Sequence, residues 1–494
     1  MDDLKLRKKN LIMFPLGTVG RDMVYNLVTN FLLTFILFTR GLTAAQLGAV
    51  TAIMVGARVF DALNDPIMGN IIERTRTKWG KFKPWLVIGI LTTSVVVISV
   101  FNISLQGWDF IWFFGFFYFM YSITYTMHDI SYWGMIPALS SDADARNRFT
   151  SRATLFAGIG GTIATVLIPM LTTGEYAIGG SASIAYGRIA VVICILAPLF
   201  LCFTIFGVRE RRDYMNEAAP PISLKKVFGT IAGNDQLLWI SLIFLIQQVG
   251  NGLVLGGIGS TYIYFEFGYK GGLYSIFTTV GMSATAFLMI FYPAISRRIH
   301  RKKLMGIMAV ISTAGYLMML VPGLLMSATM AKFWIIVVGY MLSNFGQYCF
   351  YLIMMISIIN TVEYNELREG TRDEAIITSL RPFLTKMGSA ITVALTSACY
   401  LIFGVTNYTN QISSLENQAA AGAITESEKL SSISAVLSGL HGSQALGLLL
   451  FMTVLPCALM LVSHVMYKKH YKLDEEEYDR ICAEIEARKA VDKT

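Results

Sequence analysis

Long runs of apolar residues recur along the chain, and short polar or charged segments separate them. A helix that crosses a membrane needs roughly 20 mainly apolar residues, and these runs are long enough. In lipid, a helix satisfies its own backbone hydrogen bonds, which an open strand cannot do. The pattern therefore predicts an all-α membrane protein with twelve transmembrane helices. The predicted spans cover residues 11–38, 44–72, 83–104, 110–138, 152–174, 184–207, 236–267, 272–295, 303–326, 333–361, 376–404 and 442–467.

The composition fits a chain that faces lipid rather than water. Of the 494 residues, 54% are hydrophobic and 15% are charged, and the mean hydropathy is +0.57. Soluble domains carry about a quarter charged residues. The net charge of +8 lies in the connections between apolar runs, which favours membrane topology over nucleic-acid binding. The six cysteines form no cluster with metal-ligand spacing, and we expect no cleavable signal peptide.

Lysine and arginine are concentrated in every second connection. The one after the tenth span carries Arg368, Arg372 and Arg381, whereas the connections at 106–109 and 174–186 carry none. Because basic loops stay on the cytoplasmic side, the even-numbered connections and both termini are predicted to be cytoplasmic. We expect a multi-pass protein of the cell (inner) membrane, in contact with the lipid bilayer.

A polar stretch that contains Pro220 and Pro221 divides the twelve spans into two sets of six. Two pseudo-symmetric six-helix halves are the architecture of the major facilitator fold. The tail is acidic and is predicted to be a solvated helix. The predicted segments are a cytoplasmic N-terminus at 1–10, an N-terminal bundle at 11–207, a cytoplasmic linker at 208–235, a C-terminal bundle at 236–467 and a cytoplasmic tail at 468–494.

Charged residues inside the second span indicate a cation site. Asp61 and Asp65 are four residues apart and share a helix face with Asn64. Two carboxylates and an amide oxygen in a low-dielectric setting suit a hard monovalent cation. They equally suit a proton, because two close carboxylates do not ionise together easily. The alternative is an internal salt bridge between Asp61 and Arg58 that only ties helices together.

The fourth span places Thr126, Asp129 and Trp133 on one face. A carboxylate accepts hydrogen bonds from sugar hydroxyls, and an indole packs on the apolar face of a pyranose, so this face suits a sugar. The hydroxyl of Thr126 is predicted to complete the cation shell. The alternative for Trp133 is an interfacial tryptophan. His128 points off this face, and packing or hydrogen bonding is favoured for it over proton transfer.

Further polar residues lie deep in other spans. Asp22 in the first span is a second candidate for solute hydroxyls, with a structural ion pair as the alternative. Lys386 in the eleventh span is predicted to find its anionic partner among the N-terminal carboxylates across the central cleft. Gln247, Gln248 and Asn251 either line the cavity or make hydrogen bonds between helices. Acidic and basic residues in the loops 74–83 and 363–374 are predicted to form gating salt bridges, with topology alone as the alternative.

Several segments resemble the glycoside–pentoside–hexuronide:cation symporters of the major facilitator superfamily. The most specific is Asp61-Ala-Leu-Asn-Asp-Pro-Ile-Met-Gly69 with the basic segment that follows to Trp85. The resemblance extends through 17–22, 125–133, 363–374 and 384–389, and so covers nearly the full chain.

This resemblance implies cation-coupled uptake of a sugar or glycoside, with Na⁺, Li⁺ or H⁺ as the coupling ion and no other cofactor. The implied cation-site residues are Asp61, Asn64, Asp65 and Thr126. The implied substrate-binding residues are Asp22, Tyr125, Asp129, Trp133, Arg152 and Lys386. The family places an arginine near the start of the fifth helix, and Arg152 is the nearest candidate, although its spacing from Pro137 is shorter than the family's. His128 also departs from the family pattern.

The sequence thus predicts a secondary active transporter that works by alternating access as a monomer. No metal spacing, nucleophile motif or phosphate loop supports an enzyme, and no nucleic-acid partner is expected. The alternatives are a cation-coupled carrier of an amphipathic lipid on the same scaffold and a membrane sensor that binds solute without transporting it. Whether the sugar is neutral or anionic, and whether the ion is Na⁺ or H⁺, stays open.

Overall fold

A computed structural model describes residues 2–140, 142–210, 224–440 and 442–491. Throughout these ranges the chain is helical, with short turns between helices, and extended backbone pairs only in an isolated bridge between Thr77 and Gly80. The all-α prediction is confirmed.

The helices run in the order expected from the apolar pattern. In the first half they are α1 (Asp2–Leu16), α2 (Thr18–Asn26), α3 (Leu32–Thr39), α4 (Ala44–Arg74), α5 (Lys83–Asn102), α6 (Gly107–Gly134), α7 (Ile136–Leu139), α8 (Ala143–Thr172) and α9 (Ala182–Gly207). In the second half they are α10 (Leu224–Gly233), α11 (Asp235–Leu253), α12 (Gly259–Phe267), α13 (Gly271–Ser296), α14 (Arg301–Leu325), α15 (Met330–Glu369), α16 (Glu374–Ile402), α17 (Val405–Ala420), α18 (Glu426–Ser438), α19 (Gly442–His470) and α20 (Glu475–Val491).

Eleven helical segments in the described part of the chain are long and apolar enough to cross a membrane. The pair α16 and α17, bent by 91° at its break, brings the number to twelve. The segments coincide with the predicted spans, and the differences lie at the ends: α15 has 40 residues, against the 29 predicted. In the predicted linker, 224–233 form α10, and 211–223 lie outside the described residues.

Local sequence signals set several helix ends. Before α4, the Thr43 hydroxyl accepts the backbone N–H of Gln46 (3.3 Å) and the Gln46 side chain accepts that of Thr43 (3.0 Å), which is a capping box. At the end of α15, Gly370 adopts φ +72°, a left-handed conformation that favours glycine.

The first span of each half is interrupted by a π-helical turn. Residues Leu27–Phe31 form it between α2 and α3, and Val254–Ile258 form it between α11 and α12. Gly257 in the second turn has φ +113°, and its carbonyl accepts hydrogen bonds from Ser260 (2.8 Å) and Thr261 (3.0 Å). Such turns inside helices commonly mark functional sites.

The first compact unit comprises Met1–Pro221, Ile263–Ser275 and Tyr400–His441. Small residues let its helices approach closely: a Cβ on Gly20 would lie 2.4 Å from the Cα of Ala197. The unit thus contains two segments from the second half of the sequence, which the predicted boundaries at 207 and 236 do not foresee.

One of these segments, α17 with α18, is called the cap below. Its Glu416 and Lys429 are fully buried and form an ion pair with Nζ and Oε2 3.4 Å apart. Glu416 also accepts the N–H of Ala182 at the start of α9 (2.7 Å), and Lys429 donates to the carbonyl of Gly180 (2.7 Å). The predicted spans left this segment as the connection between 376–404 and 442–467.

The second unit comprises Ile222–Tyr262, Ile276–Cys399 and Gly442–Thr494. Its helices α11, α14, α15 and α19 pack on one another around an apolar core. The tail belongs to this core, because Ile481 and Ile485 of α20 are 1% and 7% exposed. Arg488 donates to the carbonyl of Leu367 (3.1 Å). The prediction of a solvated tail helix was wrong. It rested on the many acidic residues of the tail and overlooked its few apolar positions.

In each half, a carboxylate that follows the last span accepts a backbone hydrogen bond at the start of the third span. Glu210, after α9, accepts the N–H of Lys81 just before α5 (3.0 Å). Glu475, after α19, accepts the N–H of Arg301 at the start of α14 (2.8 Å). These matching contacts support the predicted internal repeat, because the third and ninth spans occupy equivalent places in the two halves.

Candidate functional site

The first cluster centres on Arg21 of α2, whose guanidinium joins carboxylates from two helices. It donates from Nε and Nη2 to Asp22 (3.0 and 2.7 Å) and from Nη1 to Asp129 on α6 (2.8 Å). Thr18, one turn earlier on α2, donates its hydroxyl to Asp22. The structure therefore brings together two of the predicted substrate-binding carboxylates.

Burial differs sharply within this cluster. The side chain of Arg21 is 3% exposed, that of Asp22 is 14% exposed and that of Asp129 is 36% exposed. One guanidinium for two carboxylates leaves a formal charge of −1 when both acids are ionised. Asp129 is thus the carboxylate best placed to accept hydrogen bonds from a solute, while Arg21 and Asp22 hold it in position.

Aromatic rings line the same part of the unit. The guanidinium carbon of Arg21 lies 5.0 Å from the ring centre of Tyr132 and 5.2 Å from that of Trp133, within the range of a cation–π interaction. Tyr125 stacks between Tyr25 and Tyr121, at 5.6 and 5.4 Å between ring centres. The cluster thus combines charged oxygens with apolar ring faces, as a sugar requires.

A second cluster lies between α4 and α6, around Asp61. Ser122 donates its hydroxyl to Asp61, and Nη1 of Arg58 is 3.5 Å from the other carboxylate oxygen. The alternative of an Arg58–Asp61 ion pair is therefore present, as a long contact. The sequence analysis missed Ser122, although it precedes Thr126 by four residues and so shares its helix face.

Asp65 and Thr126 form the other part of this cluster. The Thr126 hydroxyl donates to Oδ1 of Asp65 (3.1 Å), which places two predicted cation ligands in direct contact. Asn64 is buried, and its side-chain nitrogen has no hydrogen-bond partner among the described residues. These oxygen-bearing groups suit a hard cation. In the described ranges, no three His, Cys, Asp or Glu side chains are grouped to hold a metal ion, so amide and hydroxyl oxygens would have to contribute.

His128 is fully buried against α5. A Cβ on Gly89 would lie 2.7 Å from the backbone nitrogen of His128, and the imidazole is 6.3 Å from the ring of Tyr132. Neither ring nitrogen has a hydrogen-bond partner among the described residues. This placement agrees with packing, as the sequence analysis favoured.

Arg152 does not join either cluster. It is exposed on α8 and donates to the backbone carbonyl of Leu11 (3.1 Å). Leu11 precedes Arg21 by ten residues, which is about 15 Å along a helix. A substrate contact by Arg152 stays a prediction.

Lys386 lies half-buried on α16 in the second unit, and its relation to the N-terminal carboxylates stays a prediction. Of the neighbouring amides, Gln247 is fully buried and donates to the carbonyl of Gln347 (3.0 Å), so it bonds helices rather than lining a cavity. Gln248 is partly buried and contacts Thr385 (3.4 Å).

The two loops predicted to gate the carrier each form ion pairs within their own unit. Lys81 pairs with Glu73 in the first unit. Arg372 pairs with Glu363 (2.7 Å), Glu366 (3.1 Å) and Glu374 (3.2 Å) in the second. Salt bridges from one loop to the other stay a prediction.

Solved structures of other transporters share this fold. A D-xylose–proton symporter aligns over 89% of this chain and 99% of its own, with a TM-score of 0.60 and 10% sequence identity. An inward-facing bacterial homologue of the lysosomal transporter Spinster aligns over 95% and 98%, with a TM-score of 0.59 and 12% identity. At such identities the likeness concerns the fold alone.

Curated relatives are carriers by name. A lactose permease from Leuconostoc lactis is 29% identical over 420 residues, which cover 80% of this chain and 63% of the permease. The chain thus spans less than two thirds of that relative's length. A raffinose carrier protein from Pediococcus pentosaceus is 25% identical over 96% of this chain and 71% of its own. A glucuronide carrier protein homolog from Escherichia coli is 24% identical over 99% and 97%.

Residues 13–475 match the family described as MFS/sugar transport protein. This match, with the named relatives, confirms the resemblance to the glycoside–pentoside–hexuronide:cation symporters and the assignment to transporters rather than enzymes. The chain belongs to the MFS/sugar transport protein family.

Proposed function

We propose that this protein is a secondary active transporter that couples the uptake of a sugar, glycoside or sugar acid to a monovalent cation. One observation carries the proposal: α6 contributes a residue to each cluster. Thr126 bonds Asp65, and three residues later Asp129 bonds Arg21. A shift of α6 that follows binding at one cluster is therefore transmitted to the other.

The solute is proposed to bind at Asp22, Asp129 and the aromatic rings of Tyr125 and Trp133. Carboxylate oxygens accept hydroxyl hydrogen bonds, and charge-assisted bonds of this kind are strong. The rings supply faces for the C–H groups of a sugar. The relatives named for lactose, raffinose and glucuronide support this class of solute.

The coupling cation is proposed to bind at Asp61, Asn64, Asp65 and Thr126. The contact between Thr126 and Asp65 and the buried amide of Asn64 support this assignment. Na⁺ or Li⁺ would use the carboxylate, amide and hydroxyl oxygens, and H⁺ would use a carboxylate alone.

Cation binding compensates one negative charge of the acidic pair and changes the field at the solute cluster. Coupling is a free energy shared by both ligands, so the solute tightens the cation by the same factor. In carriers of this fold the two halves rearrange around a site near the middle of the membrane. The basic even-numbered connections support a cell-membrane protein with both termini in the cytoplasm. The carrier is proposed to act as a monomer.

Uptake into proteoliposomes tests this function. Purified protein should accumulate a radiolabelled galactoside or glucuronide when an inward Na⁺ or H⁺ gradient is imposed, and only equilibrate it without one. Accumulation that is the same with and without the Na⁺ and H⁺ gradients would refute cation coupling. A failure to exchange labelled sugar outside the liposomes for unlabelled sugar inside would refute transport. The sugar-carrier relatives do not favour the lipid-carrier and sensor alternatives.

A further inference from the structure

Arg381 lies inside α16 and within the predicted span 376–404, although the sequence analysis counted its charge with the preceding connection. The helix α16 begins at Glu374, so Arg381 is seven residues, or about 10 Å, along it. Its side chain is half-buried.

The guanidinium points into the unit and away from the nearer end of the helix. Its Nη1 lies 3.4 Å from the hydroxyl of Tyr351 and 3.6 Å from the sulfur of Met355, both on α15. The start of α16 is fixed beside Glu363 of α15 through Arg372 (2.7 Å). Tyr351 precedes Glu363 by twelve residues, about 18 Å along the helix. A snorkelling arginine would extend the opposite way, toward the headgroups.

No carboxylate compensates this charge in the described part of the second unit. No described acidic side chain lies within 4 Å of Arg381, whose side-chain contacts are with Tyr351 and Met355. By sequence, the acids of this unit occur at Asp235, within 363–374 and from Asp474 onward, near the cytoplasmic ends of its spans. Intramembrane charges ordinarily have partners.

The deep arginines of the first unit differ in this respect. Arg21 bonds Asp22 and Asp129, and Arg58 faces Asp61 at 3.5 Å. Arg381 instead faces a phenol hydroxyl, beside which the ring of Tyr348 packs at 5.6 Å from that of Tyr351. The planar guanidinium of Arg381 has further N–H donors that can bind an anionic group.

We propose that Arg381 recognises the anionic group of a charged sugar, a carboxylate or a phosphate, and makes that charge a determinant of substrate choice. Tyr351 positions the guanidinium. This inference rests on the proposed function, since it assumes that a sugar is carried, and it adds that the preferred sugar is an anion.

Binding of matched sugars to purified protein tests the inference. The probes are methyl β-D-glucuronide, its neutral counterpart methyl β-D-glucoside, and glucose 6-phosphate, each measured by calorimetry in detergent. The wild type should bind one anionic sugar at least about tenfold more tightly than the glucoside, the factor expected of one charged hydrogen-bond pair. Glucuronide or phosphate preference then identifies the anionic group.

Arg381→Gln should abolish this preference while leaving glucoside binding within about twofold, and Arg381→Lys should retain part of it. Arg480→Gln, on the exposed face of the tail helix beside Glu477, is the matched control and should change neither. A preserved preference in a folded Arg381→Gln protein would overturn the inference, and so would a wild type that prefers the glucoside. If Arg381→Gln does not fold, the wild-type ratio and Arg381→Lys decide.

The two proposals fail differently. If the wild type transports the neutral glucoside with a cation gradient but shows no preference for an anion, only the role proposed for Arg381 is refuted. If the wild type binds none of these sugars and transports none under any gradient, both the proposed function and the inference about Arg381 are refuted.

Discussion

The hydroxyl of Thr126 donates to Asp65 across α6 and α4 at 3.1 Å. Like the hydrogen bond from Ser122 to Asp61, this contact joins a carboxylate of α4 to a hydroxyl of α6. Because Asp129 follows Thr126 by less than one turn, the same helix holds the solute carboxylate. The two clusters therefore cannot rearrange independently, and substitutions in one should be felt in the other.

Asp65→Asn should abolish cation-driven accumulation, because the neutral amide needs no compensating cation. Downhill entry of the sugar should persist. The measurement is uptake into proteoliposomes with and without a cation gradient, and Asp144→Asn, an exposed acid at the start of α8, is the control. Undiminished concentrative uptake by Asp65→Asn would remove Asp65 from the cation site.

Asp129→Asn should weaken solute binding by about 10- to 100-fold, the loss typical of a charged hydrogen-bond partner. Cation binding should be partly retained, because Thr126 and Asp65 are unchanged. Calorimetry with the sugar and with Na⁺ separates the two effects. Asp109→Asn, exposed at the other end of α6, should bind normally, and normal sugar affinity in Asp129→Asn would contradict the assignment.

Removing one member of the Glu416–Lys429 pair should destabilise the cap strongly. A buried charge left without its partner costs about 3–5 kcal/mol, so Glu416→Gln and Lys429→Met should each lower the Tm in detergent. The double variant should lose less than the sum of the two. The exposed pair Arg480–Glu477 serves as control, since such pairs contribute about 0–1 kcal/mol; equal effects at both pairs would show that the cap pair is not buried in solution.

Acidification should release the tail helix. Burial alone would raise the pKa of Glu475, but hydrogen bonds from the backbone and guanidinium of Arg301 lower it below its ordinary value of 4.5. For Asp474, hydrogen bonds from the Lys302 ammonium and the backbone N–H of Glu477 likewise outweigh burial and lower its pKa. A lowered carboxyl pKa stabilises docking above the unfolded value, and the contribution is lost as the pH falls through the folded value.

Limited proteolysis of α20 should therefore be slow at neutral pH and faster below about pH 4.5. In Glu475→Gln, the difference between the two conditions should shrink. Proteolysis that is equally fast at both pH values in the wild type would show that these carboxylates do not hold the tail.

Hydropathy and loop charge were sufficient to predict the helical fold, because a bilayer allows few other arrangements. Helical spacing also predicted the shared face of Asp61, Asn64 and Asp65, and the resemblance to the symporter family assigned Thr126 to the same site. Spacing does not fix how one helix is rotated against another, so the bridge from Arg21 to Asp129 and the bond from Ser122 to Asp61 could not be foreseen.

Sequence patterns were weakest where charged residues have structural partners. The cap and the tail helix look solvated by composition, yet Lys429 and Ile481 are buried in their units. Arg381 was counted as a loop residue because the positive-inside rule weighs charges by sequence position and ignores the direction of the side chain. Only the contacts of its guanidinium reveal the difference.

The matching carboxylates Glu210 and Glu475 are reference points from which the two halves can be compared. A duplicated ancestor would have kept this fastening because it holds the same loop against the end of the same helix in each copy. In such a repeat the fifth and eleventh spans are also equivalent, so α8 is the counterpart of α16.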